Sequence, residues 1–141
     1  MKLDSMLLTN YAEDQGGLLY VMGGGWDTIN VQAPLEGAPE NVFAVISGTL
    51  VIRLLFHPTE TDRDHQFRVT VMDADGNEAG NLDGNIRVDK IRGLPPGWDQ
   101  NVNIVIPMTG FPLPRPGNYV INLLVNGQFV GDRPFRVLKM Y

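Results

Sequence analysis

Glycine and proline divide this chain into short apolar runs, and that division limits its possible folds more than any other feature. The runs are rich in Val, Ile, Leu and Phe, and the turns between them are rich in Gly, Pro, Asn and Asp. Apolar residues are not spaced as on a helix face. The 141 residues include 16 glycines and 10 prolines, which break helices and are common at turns and sheet edges. The pattern predicts an antiparallel all-β chain.

About eight strands can be placed along the sequence. They are predicted at 3–11, at 18–22 with a continuation over 26–31, at 43–56 with an irregularity at Ser47-Gly48, at 66–72, 86–91, 100–106 and 119–125, and after Gly127. Short strands at this spacing are typical of an immunoglobulin-like β-sandwich. Because neither an internal repeat nor a linker is visible, we expect one such domain over residues 1–141.

The first predicted hairpin joins the run at 43–56 to the run at 66–72. Pairing Phe56 with Phe67, with the flanking alternate residues following in register, places the apolar side chains of both runs together. A slip of one residue would bury Arg53 instead. The alternation therefore predicts both a hairpin and its register.

The second predicted hairpin turns at Asn126-Gly127, the strongest short signal for a two-residue turn. This turn pairs Val125 with Gln128 and Leu123 with Val130. Farther along the returning strand, Phe135 and Val137 would point to the face opposite that of Val130 if the strand were regular. We therefore expect a bulge within 131–134.

The segment GGLLYVMGGGWDTI, residues 16–29, contains three consecutive glycines that could form a phosphate-binding loop. A dinucleotide fingerprint would need a glycine where Thr28 stands and a helix after it, and a Walker loop would need Gly-Lys-Ser/Thr. Neither is present. The triplet therefore predicts a bend at 23–25, where a strand changes direction or pairing and places Trp26 at the corner.

The acidic turn contains the weak metal-ligand candidates Asp73, Asp75 and Asn77, which resemble the beginning of a calcium loop. The EF-hand pattern requires glycine at the sixth position and glutamate at the twelfth. In this chain glycine is fourth, and Gly84 occupies the twelfth position. A tight Asp-Gly turn is favoured, and no metal or cofactor is expected.

Catalytic residues cannot be assigned. The strand register predicts that His57 and His65 point to opposite faces, and neither serine lies in a nucleophile elbow. Acidic residues are numerous, but most are expected on the solvated surface. We therefore expect a protein that is not an enzyme.

Charge and composition limit the partners. The net charge of −5 and the pI of about 4.8 disfavour nucleic acid and anionic membranes. The chain has no cysteine, no apolar stretch of about 20 residues that could span a bilayer, and no N-terminal secretory pattern. These observations favour a cytoplasmic location.

Trp26, Asp27 and Trp98 are weak candidates for a partner or ligand site, because tryptophan either packs in a core or anchors an interface. The leading hypothesis is a non-enzymatic module that binds a protein partner or itself. The alternative is a ligand-binding β-sandwich for a small molecule, carbohydrate or calcium, which would use aromatic and acidic loops at one end. An enzyme without a recognisable motif ranks third.

Several segments together resemble a family of uncharacterised bacterial proteins, each a single β-sandwich domain of this length. They are GGLLYVMGGGWDTI, DHQFRVTVMDADG, RGLPPGWDQNVNIVI and LPRPGNYVINLLVNGQFVGDRPFRV. The most specific parts are GGGWD at 23–27 and PGxY at 116–119, followed by FxV at 135–137. The resemblance implies this fold and a bacterial, intracellular setting, and it brings no activity or catalytic residues.

Overall fold

The computed structural model describes residues 1–141, an all-β chain with eleven strands and one short 3-10 helix at Pro58–Glu60. The strands are β1 (Lys2–Gln15), β2 (Leu18–Gly24), β3 (Thr28–Val31), β4 (Ala44–Ile46), β5 (Thr49–Phe56), β6 (Arg63–Asp73), β7 (Glu78–Val88), β8 (Gln100–Pro107), β9 (Phe111–Leu113), β10 (Gly117–Val125) and β11 (Gln128–Lys139). The one helix has only 3 residues, so the structure contains no membrane-spanning helix.

Two large sheets and one small sheet contain all the strands. The four-stranded sheet has the order β2-β1-β5-β8, the five-stranded sheet has the order β3-β11-β10-β6-β7, and β4 pairs with β9. All strand pairs are antiparallel except β3 with β11. A cluster of 20 buried apolar residues includes Ile52 and Leu54 from the four-stranded sheet and Val69, Val71 and Ile121 from the five-stranded sheet. The two large sheets therefore contribute to one core.

The structure has more strands than the sequence predicted, because two predicted strands each divide and β9 was not foreseen. The strand expected to cross the glycine triplet ends at Gly24 in the four-stranded sheet and resumes at Thr28 in the five-stranded sheet. The prediction that the triplet lets the chain change pairing is confirmed. The run at 43–56 divides at Ser47-Gly48, where an irregularity was predicted.

The predicted hairpin between 43–56 and 66–72 is wrong. Strand β5 pairs with β1 and β8, whereas β6 pairs with β10 and β7 in the other sheet. The side chains of Leu50, Ile52, Leu54, Val69 and Val71 are nevertheless all buried in the shared core. Alternation shows which face of a strand is buried, but it does not identify the neighbouring strand.

Strand β7 covers the turn-rich segment 78–88 and ends at Val88, halfway along the predicted strand at 86–91. Two of its glycines allow aromatic rings to lie against the strand. A Cβ on Gly80 would lie 2.6 Å from the Phe111 ring, and one on Gly84 would lie 2.4 Å from the Phe67 ring. These glycines are therefore packing positions within a strand and do not mark turns.

The turn at Asn126-Gly127 is confirmed, with Val125 opposite Gln128. The register then shifts between Leu124 and Leu123, so that Leu123 lies opposite Gly131. The sequence had predicted Val130 as the residue opposite Leu123. The bulge is thus slightly earlier than expected. A Cβ on Gly131 would lie 2.3 Å from Leu3 Cδ2, so close packing against β1 explains why glycine follows the shift.

The hairpin formed by β1 and β2 curls over the outer face of the four-stranded sheet. It crosses the chain at Gly48, where a Cβ would lie only 2.1 Å from the carbonyl oxygen of Thr9. Farther along, the Asn103 Nδ2 of β8 donates to Asp14 Oδ2 at 2.9 Å and to the Gly17 carbonyl at 3.1 Å. The tip of the hairpin is therefore held over β8, although β2 and β8 lie at opposite edges of the sheet.

Candidate docking surface

The solvent side of the β1–β2 hairpin carries six side chains, which we call the hairpin surface. They form three cross-strand pairs, Tyr11 with Met22, Glu13 with Tyr20 and Gln15 with Leu18. Because side chains alternate along a strand, all six lie on the same face. Tyr11 is 52% exposed, Leu18 64%, Tyr20 51% and Met22 68%, so the surface is mainly apolar and open to solvent.

The other face of the hairpin is turned toward the body of the protein. Ala12 is buried, Leu19 is half-buried, and Val21, opposite Ala12, is 40% exposed. A Cβ on Gly24 would lie 2.8 Å from Leu7 Cδ1, so the strand approaches β1 closely where β2 ends. Glycine at this position lets the hairpin fold back and directs the hairpin surface outward.

Strand β2 is an edge strand that pairs only with β1. Its sequence, LLYVMGG, contains no charged residue and no proline, and six of its seven residues are exposed. Edge strands are normally protected from pairing with other chains by charges, proline or short length. Strand β2 has none of these protections.

The other edge strands are better protected. Strand β7 carries Glu78, Asp83 and Arg87, and β3 has only 4 residues. Strand β8 ends at Pro107, and its apolar side chains are buried or half-buried. The apolar edge of β2 is therefore a particular feature of the hairpin and not a general property of the sheets.

Glu13 is the single charged residue of the hairpin surface. Its carboxylate accepts hydrogen bonds from the Tyr11 hydroxyl at 3.0 Å and from Gln15 Nε2 at 2.7 Å. The hydrogen bond to Glu13 and the charge of that carboxylate raise the pKa of Tyr11 above its ordinary value. Glu13 is thus held by its neighbours within an otherwise uncharged surface.

Trp98 lies in the loop at 89–99 and is 62% exposed. It lines a cleft of about 290 Å³ together with Pro58, Ile91, Leu94 and other loop residues. The Gln100 side chain holds the loop, since its Nε2 donates to the Asp89 carbonyl at 2.6 Å and its Oε1 accepts from the Ile91 N–H at 3.1 Å. This cleft is a second exposed apolar surface.

Trp26 and Asp27 lie far from Trp98. Trp26 is half-buried against the core. Its Cζ2 lies 3.4 Å from the position that a Cβ on Gly48 would occupy, just before the beginning of β5. The Trp98 cleft includes Gln100, which pairs with Phe56 at the other end of β5. Eight strand residues span about 26 Å, so the structure does not bring the two tryptophans together. Asp27 is exposed, and its Oδ1 accepts from the Thr28 hydroxyl at 2.9 Å.

The acidic turn uses its carboxylate within the turn. Asp73 Oδ1 accepts from the N–H groups of Asp75 and Asn77, both at 2.9 Å, and Arg115 donates to Asp73 Oδ2 at 3.0 Å. The hydrogen bond from the Asn77 N–H, assisted by Arg115, lowers the pKa of Asp73 despite partial desolvation. No group of three or more His, Cys, Asp or Glu side chains is placed to hold a metal ion.

The two histidines have different surroundings and do not form a pair. His65 is buried against the Phe56 ring, with Nε2 2.7 Å from the Glu60 carbonyl and Nδ1 2.9 Å from Asn126 Nδ2. His57 is exposed and caps the 3-10 helix by accepting from the Thr59 N–H. Neither ring is hydrogen-bonded to a carboxylate.

The hairpin surface was not identified from the sequence. Residues 18–22 are all apolar, and the sequence indicated only that they form a strand. Whether either face of the strand is covered depends on where the hairpin folds, and the sequence pattern does not specify this. The absence of charge from 18–22 was the one available signal.

Comparison with known proteins gives a family without a described activity. Residues 4–138 match a family described as "Family of unknown function (DUF6941)". No curated protein is detectably similar to the chain.

Proposed function

The chain belongs to this family of unknown function, and we propose from its structure that it is a non-enzymatic module that binds a protein strand along the edge of β2. The observation that carries the proposal is the exposed, uncharged and proline-free β2. A strand added to such an edge gains main-chain hydrogen bonds, and pockets or faces for alternate side chains supply specificity. The partner is either another protein or a second copy of the chain.

The hairpin surface supplies the apolar contribution to such binding. Fully burying a Leu or Met side chain contributes about 1.5–3 kcal/mol, and more than half of Leu18 and Met22 is still exposed. Tyr11 and Tyr20 are aromatic residues of the kind enriched at interfaces. A partner that covers β2 would therefore bury apolar area that the isolated chain leaves in water.

The proposal of an immunoglobulin-like β-sandwich is supported by the strand order. Strands β11, β10, β6 and β7 lie side by side opposite β1, β5 and β8, and β3 runs parallel to the last strand. The Tyr119 hydroxyl donates to the Arg115 carbonyl at 2.6 Å and accepts from its N–H at 3.2 Å. A tyrosine bonded to the backbone a few residues upstream is the tyrosine corner of such sandwiches.

The absence of catalysis is also part of the proposal. The side chains of Asp73 and His65 are both hydrogen-bonded within the fold. The exposed hairpin surface contains one carboxylate, Glu13, and two neighbouring groups already bind it. This arrangement suits docking more than proton transfer or nucleophilic attack.

Photo-cross-linking in the native cell tests the proposal. A benzoylphenylalanine replaces Tyr20 in one variant and Asn118 in a control, because Asn118 is exposed on the central strand β10. We expect covalent adducts to protein, either another chain or this one, from position 20 and not from position 118. Equal adduct formation at both positions, or none at position 20, would contradict the proposal.

A second candidate function is the binding of a sugar ring at the Trp98 cleft, and the exposure of Trp98 favours it. In the Trp26→Phe variant Trp98 is the sole tryptophan, so its fluorescence reports on the cleft. Titration with glucose, galactose and N-acetylglucosamine should then change the emission, and Trp98→Phe gives the matched blank. An unchanged spectrum with all three sugars excludes this function for them.

A further inference from the structure

We propose that the partner of β2 is β2 of a second copy of this chain, paired antiparallel across a two-fold axis. This inference rests on the function proposed above and specifies its partner. It also commits to one register, in which Tyr20 lies opposite Tyr20 and Leu18 lies opposite Met22. Two-fold contacts of this kind are the commonest interfaces of homo-oligomers.

The register follows from the alternation of side chains. Residues directly opposite each other in an antiparallel pair project from the same face. With Tyr20 on the axis, the three side chains that β2 contributes to the hairpin surface meet those of the other copy. A shift that centred the pair on Val21 would place Leu18 opposite Gly24 and would put Gly23, which has a φ of 60°, inside the pairing. A shift toward the turn would place Met22 opposite Gly16.

Charge does not oppose this contact, although the chain as a whole is acidic. Strand β2 has no charged side chain, and the nearest acid on the same face is Glu13 on β1, opposite Tyr20. In the dimer the two Glu13 side chains would be three strand spacings apart, about 14 Å. This separation exceeds the screening length of about 8 Å at physiological ionic strength, so repulsion between them is weak.

The resulting assembly would join two four-stranded sheets through β2 into one continuous sheet. A pairing of five residues per strand is a small contact, whereas a standard stable interface buries roughly 800 Å² per partner. We therefore expect a concentration-dependent dimer and not a permanent one. At low concentration the chain is then a monomer in which the edge of β2 is unpaired.

Because the chain has no cysteine, single cysteines can test the register directly. Directly opposite residues have Cα atoms about 4.5–5.5 Å apart, which suits a disulfide. Under mild oxidation Tyr20→Cys should form a covalent dimer. Leu18→Cys alone and Met22→Cys alone should do so at least about ten times more slowly, while an equal mixture of these two variants should form a covalent heterodimer.

The outcomes separate this inference from the proposed function. The inference fails if neither Tyr20→Cys nor the mixture yields a covalent dimer, or if Leu18→Cys alone reacts as fast as the mixture. A covalent heterodimer from the mixture supports it even when loss of the Tyr20 ring weakens the Tyr20→Cys dimer. Photo-cross-links from position 20 to other proteins, without any self-dimer, would leave the proposed function standing and overturn the inference.

Discussion

At the scale of single residues, Asn126 connects the C-terminal turn to the buried His65. Its Oδ1 accepts from the Gln66 N–H at 3.0 Å, and its Nδ2 lies 2.9 Å from His65 Nδ1. A carbonyl oxygen can only accept, so the His65 Nε2 facing Glu60 must donate, and Nδ1 must accept from Asn126. The hydrogen bonds therefore fix a neutral ring with its proton on Nε2.

The Asn126→Asp variant should be less stable than the parent, because it removes the hydrogen-bond donor to His65. Aspartate tolerates the positive φ at this position and can still accept from Gln66, but it presents an oxygen to Nδ1 where the amide presented a donor. We expect a loss of about 1–3 kcal/mol in the free energy of unfolding.

Urea unfolding of the parent and the variant measures this loss. The exposed Asn118 provides a matched control, since Asn118→Asp adds the same charge on β10 away from any histidine contact. A loss of equal size in both variants would show that the bond between Asn126 and His65 does not contribute to stability.

The Asp73→Asn variant tests the lowered pKa of Asp73. A carboxyl whose pKa is lower in the folded state stabilises the fold above its unfolded pKa of about 3.9, and this stabilisation disappears as the pH falls through the folded pKa. We expect the variant to be less stable than the parent at pH 7, with a difference that shrinks as the pH falls through the folded pKa of Asp73. Asparagine can still accept from Asp75 and Asn77, but these bonds lose the strengthening effect of the carboxylate charge, and the contact with Arg115 is lost.

Chemical unfolding of parent and variant across this pH range gives the comparison. Asp75→Asn is the control, because the Asp75 carboxylate is exposed and lies 3.9 Å from Arg115. A stability difference that grows in acid would contradict the assigned role of Asp73.

At the scale of elements, Asn103 holds the β1–β2 hairpin against β8. The Asn103→Ala variant removes the hydrogen bonds to Asp14 and Gly17 and the bond from Arg53 to Asn103 Oδ1. Because these bonds connect the hairpin tip to the rest of the sheet, we expect faster amide exchange, by roughly ten-fold, within 11–22.

The control for this prediction is Asn101→Ala, which changes an exposed asparagine of the same strand. Exchange in the central strands β5 and β10 should remain unchanged in both variants. If Asn101→Ala and Asn103→Ala have the same effect on the hairpin, the bonds of Asn103 do not hold it.

Local features of the elements could be predicted from sequence, whereas their neighbours could not. The Asn126-Gly127 turn and the bend at the glycine triplet depend on local backbone conformation, and both are present. The partner of β5 depends on how the chain between Phe56 and Arg63 crosses from one sheet to the other. The same limit applies to the hairpin surface, because the hairpin crosses the chain closely at Gly48, roughly thirty residues away in sequence.

At the scale of the whole molecule, the proposed docking edge and the core are separate. The 20 residues of the buried cluster include none of the hairpin surface, and β2 contributes no buried residue. Replacing Leu18, Tyr20 or Met22 should therefore alter association with little effect on folding. Because of this separation, a change in cross-linking or dimer formation in these variants reports on the contact itself and not on unfolding.

The shared core also predicts that both ends of the molecule unfold together. Trp26 lies at one end of β5 and Trp98 at the other, so Trp98→Phe and Trp26→Phe each leave one fluorescent reporter at a known end. In each variant we expect tryptophan fluorescence and far-ultraviolet circular dichroism to give the same midpoint in guanidinium chloride, as a two-state domain requires. Trp26 Nε1 is buried without a hydrogen-bond partner, so replacing it with Phe leaves no donor unpaired and should lose mainly packing. A fluorescence midpoint in either variant that precedes the circular dichroism midpoint would show that this end of the molecule opens before the core.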